Sequence, residues 1–238
     1  MRSPISHSSS QTYVTQPYGR LRMVLLAISA LCFVFSIAVV GTAGHTLQVF
    51  NRQTAMQNPW WLPLWPGHFD THGTSVLIGV GAAVLVFNGL YLLVTFVPRF
   101  NLKNHPTLSA LAAFAATLPS ILLSLVAVVY VHVLNQNSES SDTIQTWTCR
   151  FKNSQPAANL SIPTDMSNEL FSNLCTESKF ALYATLVVLI LQIIMVGLAV
   201  AAWISEKVVA RKEKKMQENS YGMDYTKNAD VSVRETSL

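Results

Sequence analysis

Charge is what this sequence has least of. Only 12% of its 238 residues are Asp, Glu, Lys or Arg, against 50% hydrophobic, where a soluble domain carries about 25% charge. The charges collect in the tails and loops, leaving long stretches with none. Cysteine is scarce too. Three in the whole chain exclude a disulfide-dense secreted scaffold. There is no Gly-rich phosphate loop with a following Lys, and no Ser or Cys set in a nucleophile elbow. Six His cannot supply the several His-rich boxes of a membrane di-iron oxygenase. No carboxylate or lysine lies within an apolar run, where a proton relay would need one. The net charge of +4 is not a nucleic-acid footprint, because the basic residues flank apolar runs instead of forming a patch interleaved with aromatics. These absences weigh against an enzyme, a pump and a nucleic-acid binder. They leave a small channel or facilitator with a polar, uncharged lining as an alternative.

What is present is apolar length. A helix needs about 20 apolar residues to cross roughly 30 Å of hydrocarbon. Four segments qualify: 23–43, 74–97, 108–134 and 180–204, none with Asp, Glu, Lys or Arg. A charge at mid-helix costs about 2.5–3.5 kcal/mol on insertion scales, so four charge-free runs are a strong signal. Strands of a membrane barrel would be about 10 residues long with alternating polarity. The expected fold is therefore an all-α membrane protein, a four-helix transmembrane bundle over residues 23–206. Two outer loops join the spans, and disordered cytoplasmic tails lie at 1–22 and 207–238. The run at 23–43 is longer than the apolar core of a signal peptide, although Gly41-Thr42-Ala43 offers a cleavage site whose use would leave three spans.

Orientation follows from the basic residues. Arg2, Arg20, Arg22, Arg99, Lys103, Lys207, Arg211, Lys212, Lys214, Lys215, Lys227 and Arg234 fall on one side. Only Arg52, Arg150, Lys152 and Lys179 fall on the other. The richer side is expected to be cytoplasmic, with both chain ends there. The protein is then an integral multi-pass protein of a plasma membrane or endomembrane.

The loop 135–179 carries Cys149 and Cys175, the two cysteines outside the spans. On the lumenal side they can oxidise, and closing a loop of about 27 residues stabilises it by roughly 3.5 kcal/mol in the chain-entropy model. The same loop holds Asn159-Leu160-Ser161, a glycosylation sequon well clear of both membrane surfaces. The first outer loop, 45–73, contains Asn58-Pro59-Trp60-Trp61-Leu62-Pro63-Leu64-Trp65-Pro66. Its prolines forbid a regular helix, and its tryptophans fit the interfacial belt or a lipid-binding surface. His68 and His72, with Asp70 or His45, have the spacing of a metal pair, which would make a lumenal metal-dependent enzyme. The simpler reading is a polar cap on span two, with Asp70 near the helix N-terminus. No cofactor is expected.

Inside the spans, Asn88 and Gln192 are the prominent polar residues. They lie somewhat past the middle of spans running in the same direction, so a hydrogen bond across the bundle is expected. Ser120 and Ser124 are further polar residues, in span three, and Pro119 should kink that span, with Thr117 and Ser120 available to re-satisfy freed backbone groups. Small pairs at Gly79 and Ala83, Ala112 and Ala116, and Gly197 and Ala201 read as bundle packing, with homo-oligomer contacts open. The basic run from Lys207 to Lys215 fits anionic inner-leaflet lipids or a stop-transfer flank. Thr236-Ser237-Leu238 matches a C-terminal ligand of PDZ-type domains.

The layout is shared by several tetraspan groups. Tetraspanins carry Cys-Cys-Gly in the second outer loop, and claudins carry a Trp and two Cys in the first; neither pattern is here. Three segments carry a resemblance to uncharacterised fungal four-span proteins of MARVEL-like type. They are Pro63-Leu64-Trp65-Pro66 with His68-Phe69-Asp70, Thr146-Trp147-Thr148-Cys149-Arg150, and Leu174-Cys175-Thr176-Glu177-Ser178. The likeness spans 23–206 in layout. It implies membrane organisation or trafficking, with membrane lipids, membrane-protein partners or a second copy as partners, and no catalytic residues.

Overall fold

Four apolar runs that must satisfy their own backbone in hydrocarbon become helices, and the computed structural model has four helices of that kind. It describes residues 16–55, 69–97, 106–137, 142–152 and 168–235. In chain order these form α1 (Gln16–Ala55), β1 (Phe69–Asp70), α2 (His72–Phe96), α3 (Pro106–Gln136), β2 (Asp142–Thr143), α4 (Ile144–Phe151) and α5 (Asn168–Glu235). Local chemistry sets several ends. Val97, extended at ψ 114°, stops α2 just before Pro98, as expected for a residue ahead of proline. Pro106 opens α3, where a missing N–H costs nothing.

The long helices form a ring in which α1 and α3 each pack against both α2 and α5. Their buried positions advance by alternating steps of four and three. In α1 the seam is Ser29, Cys32, Ser36, Val39, Ala43 and Thr46. In α3 it is Ala113, Thr117, Ser120, Ser124, Ala127 and Val131, and in α5 it is Ala181, Thr185, Val188, Gln192, Met195 and Ala199. That heptad spacing belongs to helices crossing at about 20°. The seam residues are mostly small or hydroxylated, which lets backbones approach. The hydroxyls of Ser36, Thr117, Ser120 and Thr185 donate to carbonyls one turn back, at 2.7–2.8 Å, so they add no unmet polarity. Only 28–33% of each span's most apolar stretch is buried. Leu118, Leu122, Val126 and Ile193 are among the large side chains facing outward. Water would not tolerate apolar surface on that scale. The chain is an integral multi-pass membrane protein.

Several boundaries differ from the expectation. Span one was expected to end at 43 and be followed by loop, but α1 continues to Ala55. Residues 45–55 contain neither Pro nor Gly, and Thr46 is buried, so packing carries the helix on. α5 begins at Asn168 and is already helical when it enters the span. The 207–238 tail, expected to be disordered, is helical to Glu235. The stretch 210–218 is Ala, Arg, Lys, Glu, Met and Gln, strong helix formers continuing an existing helix. The N-terminal tail is helical from Gln16, and 1–15 lie outside the described residues.

The small pairs need correction as well. Gly79, Gly197 and Ala201 are exposed on the lipid side of their helices, and a Cβ at either glycine would meet nothing within 4 Å. They fall off the heptad seam. Only the α3 pair packs inside, with Ala116 buried and Ala112 against the same cluster. The close approach lies instead at Gly81, where a Cβ would come within 3.0 Å of Val40 Cγ2 and 3.2 Å of Val39 Cγ1. Gly81→Ala is therefore expected to lower stability by about 1 kcal/mol or more through overpacking against stiff valines. Gly79→Ala is expected to be neutral or to stabilise by a few tenths, since helical Gly is unfavourable and there is room. Thermal unfolding of both variants in mild detergent checks the pair, and equal effects would contradict the seam.

Candidate functional site

Two features stand out: a polar layer inside the bundle and a cross-linked cap at the end where the loops lie. The layer is built from seam positions of three helices. Ser29 Oγ of α1 donates to Asn88 Oδ1 of α2 at 3.3 Å. Gln192 Nε2 of α5 donates to the same oxygen at 3.2 Å. Asn88 Nδ2 donates to its own helix at the Val84 carbonyl, 2.9 Å. All three residues are fully buried. One carboxamide oxygen thus accepts from two other helices. Such bonds are worth about 0.6 kcal/mol each in membrane bundles.

The structure brings Asn88 and Gln192 together, as their shared depth predicts. The residue that sequence reasoning missed is Ser29. Its signal was present, since span one runs opposite to span two and Ser29 lies at a comparable distance from the tail-side end. Ser124, from α3, is also fully buried. Among the described residues its hydroxyl and Gln192 Oε1 are the buried side-chain polar atoms without a hydrogen-bond partner. Two apolar clusters enclose the layer. Val80, Val84, Ala127 and Val188 lie on the loop side, and Leu25, Tyr91, Ala113, Ala116, Met195 and Ala199 on the tail side.

The cap begins with α4, an eight-residue amphipathic helix. Its first turn is closed by a capping box: Thr143 Oγ1 accepts from Thr146 N–H at 3.2 Å, and Thr143 N–H donates to Thr146 Oγ1 at 2.9 Å. Ile144 and Thr148, one turn apart, are completely buried as α4 packs on α5. A disulfide joins Cys149 of α4 to Cys175 of α5. Thr143 Oγ1 donates to Asn135 Oδ1 at 2.8 Å, and Asn135 Nδ2 donates to Gln145 Oε1 at 2.9 Å, tying α4 to the end of α3. Arg150 pairs with Asp142 at 3.2 Å.

The first loop is tied to the second. β1 pairs in parallel with β2, Phe69 opposite Asp142 and Asp70 opposite Thr143. Phe50 of α1 stacks on Phe69 with ring centroids 4.9 Å apart. His45 Nδ1 lies 2.7 Å from Glu177 Oε2, linking the loop-side ends of α1 and α5. Asp70 Oδ1 accepts the backbone N–H of His72 at 2.7 Å, which places its charge at the start of α2. The His72 ring also meets Asp70, at 2.9 Å. His68, the other half of the expected metal pair, lies outside the described residues, as do the 58–66 Trp/Pro segment, Asn159 and Thr236-Ser237-Leu238. Among the described residues no group of three or more His, Cys, Asp and Glu converges as a metal site would.

On the tail side, Lys207 Nζ sits 4.0 Å above the Trp203 ring. That is a cation–π contact where α5 leaves the apolar run. Comparison of the chain with protein-family models, with curated proteins and with solved structures returned no match.

Proposed function

We propose that this chain is a non-enzymatic, MARVEL-like four-span protein that organises lipids or partner proteins in a plasma membrane or endomembrane, with both ends cytoplasmic. The observation that carries the reading is the cap. Disulfide, interloop strand pair and the His45–Glu177 contact tie the described parts of the two loops, 69–70 and 142–152, and the helix ends beside them into one fixed surface. A fixed surface suits recognition of a membrane neighbour or a second copy, where a lid over a reaction centre would have to move. The orientation rests on the basic residues gathered on the tail side. It would place the cap, and a glycan on Asn159, in an oxidising compartment.

The expected result is patchy co-segregation with specific partners when the protein, tagged at its C-terminus, is proximity-labelled and extracted in native membrane patches. Double Cys149→Ala/Cys175→Ala should weaken that association at least severalfold. Unchanged partners in the double variant would remove the cap's role, and solute movement by the purified, reconstituted protein would sink the organising role altogether.

The channel reading is favoured by one observation, the uncharged polar layer. Its hydrogen bonds tie Ser29, Asn88 and Gln192 to one another, which suits adhesion between helices more than a conduit. If they did line a path, Asn88→Leu with Gln192→Leu would abolish flux in vesicles.

A further inference from the structure

The geometry points to a bound water molecule in the middle of the bundle, held between Gln192 Oε1 and Ser124 Oγ. Both atoms are wholly buried and neither has a partner among the described residues. Buried polar atoms in native proteins are nearly always satisfied, by protein or by ordered water. The two lie at one depth. Ala127 of α3 and Val188 of α5 belong to the same apolar cluster. Ser124 is three residues from Ala127 toward the tail side, and Gln192 is four from Val188 in the same direction. At a rise of about 1.5 Å per residue the levels differ by roughly 1.5 Å.

The chemistry is complementary. Gln192 Oε1 only accepts, and a serine hydroxyl donates once and accepts twice. A water can donate to Oε1 and accept from Ser124 Oγ–H. These two contacts meet the lower end of the two to four that a buried water makes. Ser124 differs here from its neighbours. Thr117 and Ser120 return their hydroxyls to carbonyls one turn back, and Ser124 does not. An ion is a poor occupant, because none of the four spans carries a charged side chain to balance it. This site is independent of the organising role proposed above.

Met195 supplies the probe. It is completely buried and lies one turn from Gln192, and a thioether is readily oxidised. In X-ray radiolysis of the full chain in lipid nanodiscs, hydroxyl radicals form from water at its bound position and label side chains beside it. Met195 is expected to oxidise in the wild type despite its burial. Ser124→Ala and Gln192→Leu are each expected to slow that labelling about tenfold, the occupancy change for losing one net hydrogen bond. Unfolding would speed labelling, so the direction of change separates loss of the water from loss of the fold. Ser124→Ala, the gentler change, is decisive. A wild-type Met195 that is not labelled above an unirradiated control, or a Ser124→Ala rate less than threefold below wild type, would overturn the site.

Discussion

Replacing Cys149 and Cys175 together by alanine is expected to free α4 from the bundle while leaving the spans assembled. An isolated eight-residue helix is far too short to persist in water, so α4 depends on its attachments. Apart from the disulfide these include the burial of Ile144, worth about 1.5–3 kcal/mol, the burial of Thr148, the strand pair at Thr143, and the contacts of Thr143 and Gln145 with Asn135. The Arg150–Asp142 pair, half exposed on the Arg side, adds little, because surface ion pairs contribute about 0–1 kcal/mol. The cross-link closes a separation of 26 residues, worth roughly 3.5 kcal/mol in the chain-entropy model. A realistic value is about 2–3 kcal/mol, because the ends of α3 and α5 stay near each other in the membrane even when α4 is undocked. Amide hydrogen exchange across residues 144–151 should then quicken about 30- to 150-fold, since every 1.4 kcal/mol is a factor of ten. The amides of α2 and α3 inside the bilayer should change little. Unaltered protection of α4 in the double variant would show that packing alone secures the cap.

Asn88→Leu is expected to be the most damaging single change within the bilayer, at about 2–3 kcal/mol. The substitution removes one oxygen that serves two donors, so Ser29 Oγ and Gln192 Nε2 lose their partner together. Stranding a buried donor costs about 1–3 kcal/mol. Membrane bundles sit at the low end, because the dissociated helices also find partners. Gln192→Leu is expected to cost less, as it breaks one bond to another helix and leaves Ser29 with Asn88. The sign of the coupling is the sharper test. In the double variant Gln192 is no longer there to be stranded, so the summed effect of the single changes should exceed the double by about 1 kcal/mol. Unfolding in bicelles by a denaturing detergent gives all four corners of the cycle. Additivity within a few tenths of a kcal/mol would mean that the two amides are neighbours without being partners.

The parts of this fold that were legible in the sequence, and those that were not, divide along a physical line. Hydrocarbon imposes a hard rule on length and charge, so the existence of the four spans could be read from the runs around Val39, Val84, Leu123 and Leu189. It imposes no rule on what happens outside, so the extension of α1 past His45 and the early start of α5 were hidden. Inward and outward faces could not be separated by apolarity, because both are apolar. The inward marker is small size and hydroxyl content: Ser29, Cys32, Ser36, Ala43 and Thr46 follow the buried seam of α1. Gly79 and Gly197 mislead for the same reason, being small but off that register. The cysteine pair was readable by elimination, since the third cysteine, Cys32, is buried within α1. The α4 cap was not, because its capping box uses Thr146 where Glu or Gln is the recognisable partner. The β1–β2 pair is two residues per strand, below what sequence alternation can signal.

The polar layer also has a history within each molecule's synthesis. Asn88 is separated from Ser29 by 59 positions and from Gln192 by 104. At about 5–20 residues per second, the last partner follows Asn88 by roughly 5–20 s. During that interval the only one of its two interhelical donors already made is Ser29 of the preceding span. Arrival of the final span supplies the second donor and completes the layer. A nascent chain that has not yet reached Gln192 therefore carries one interhelical donor on that oxygen where the finished chain carries two.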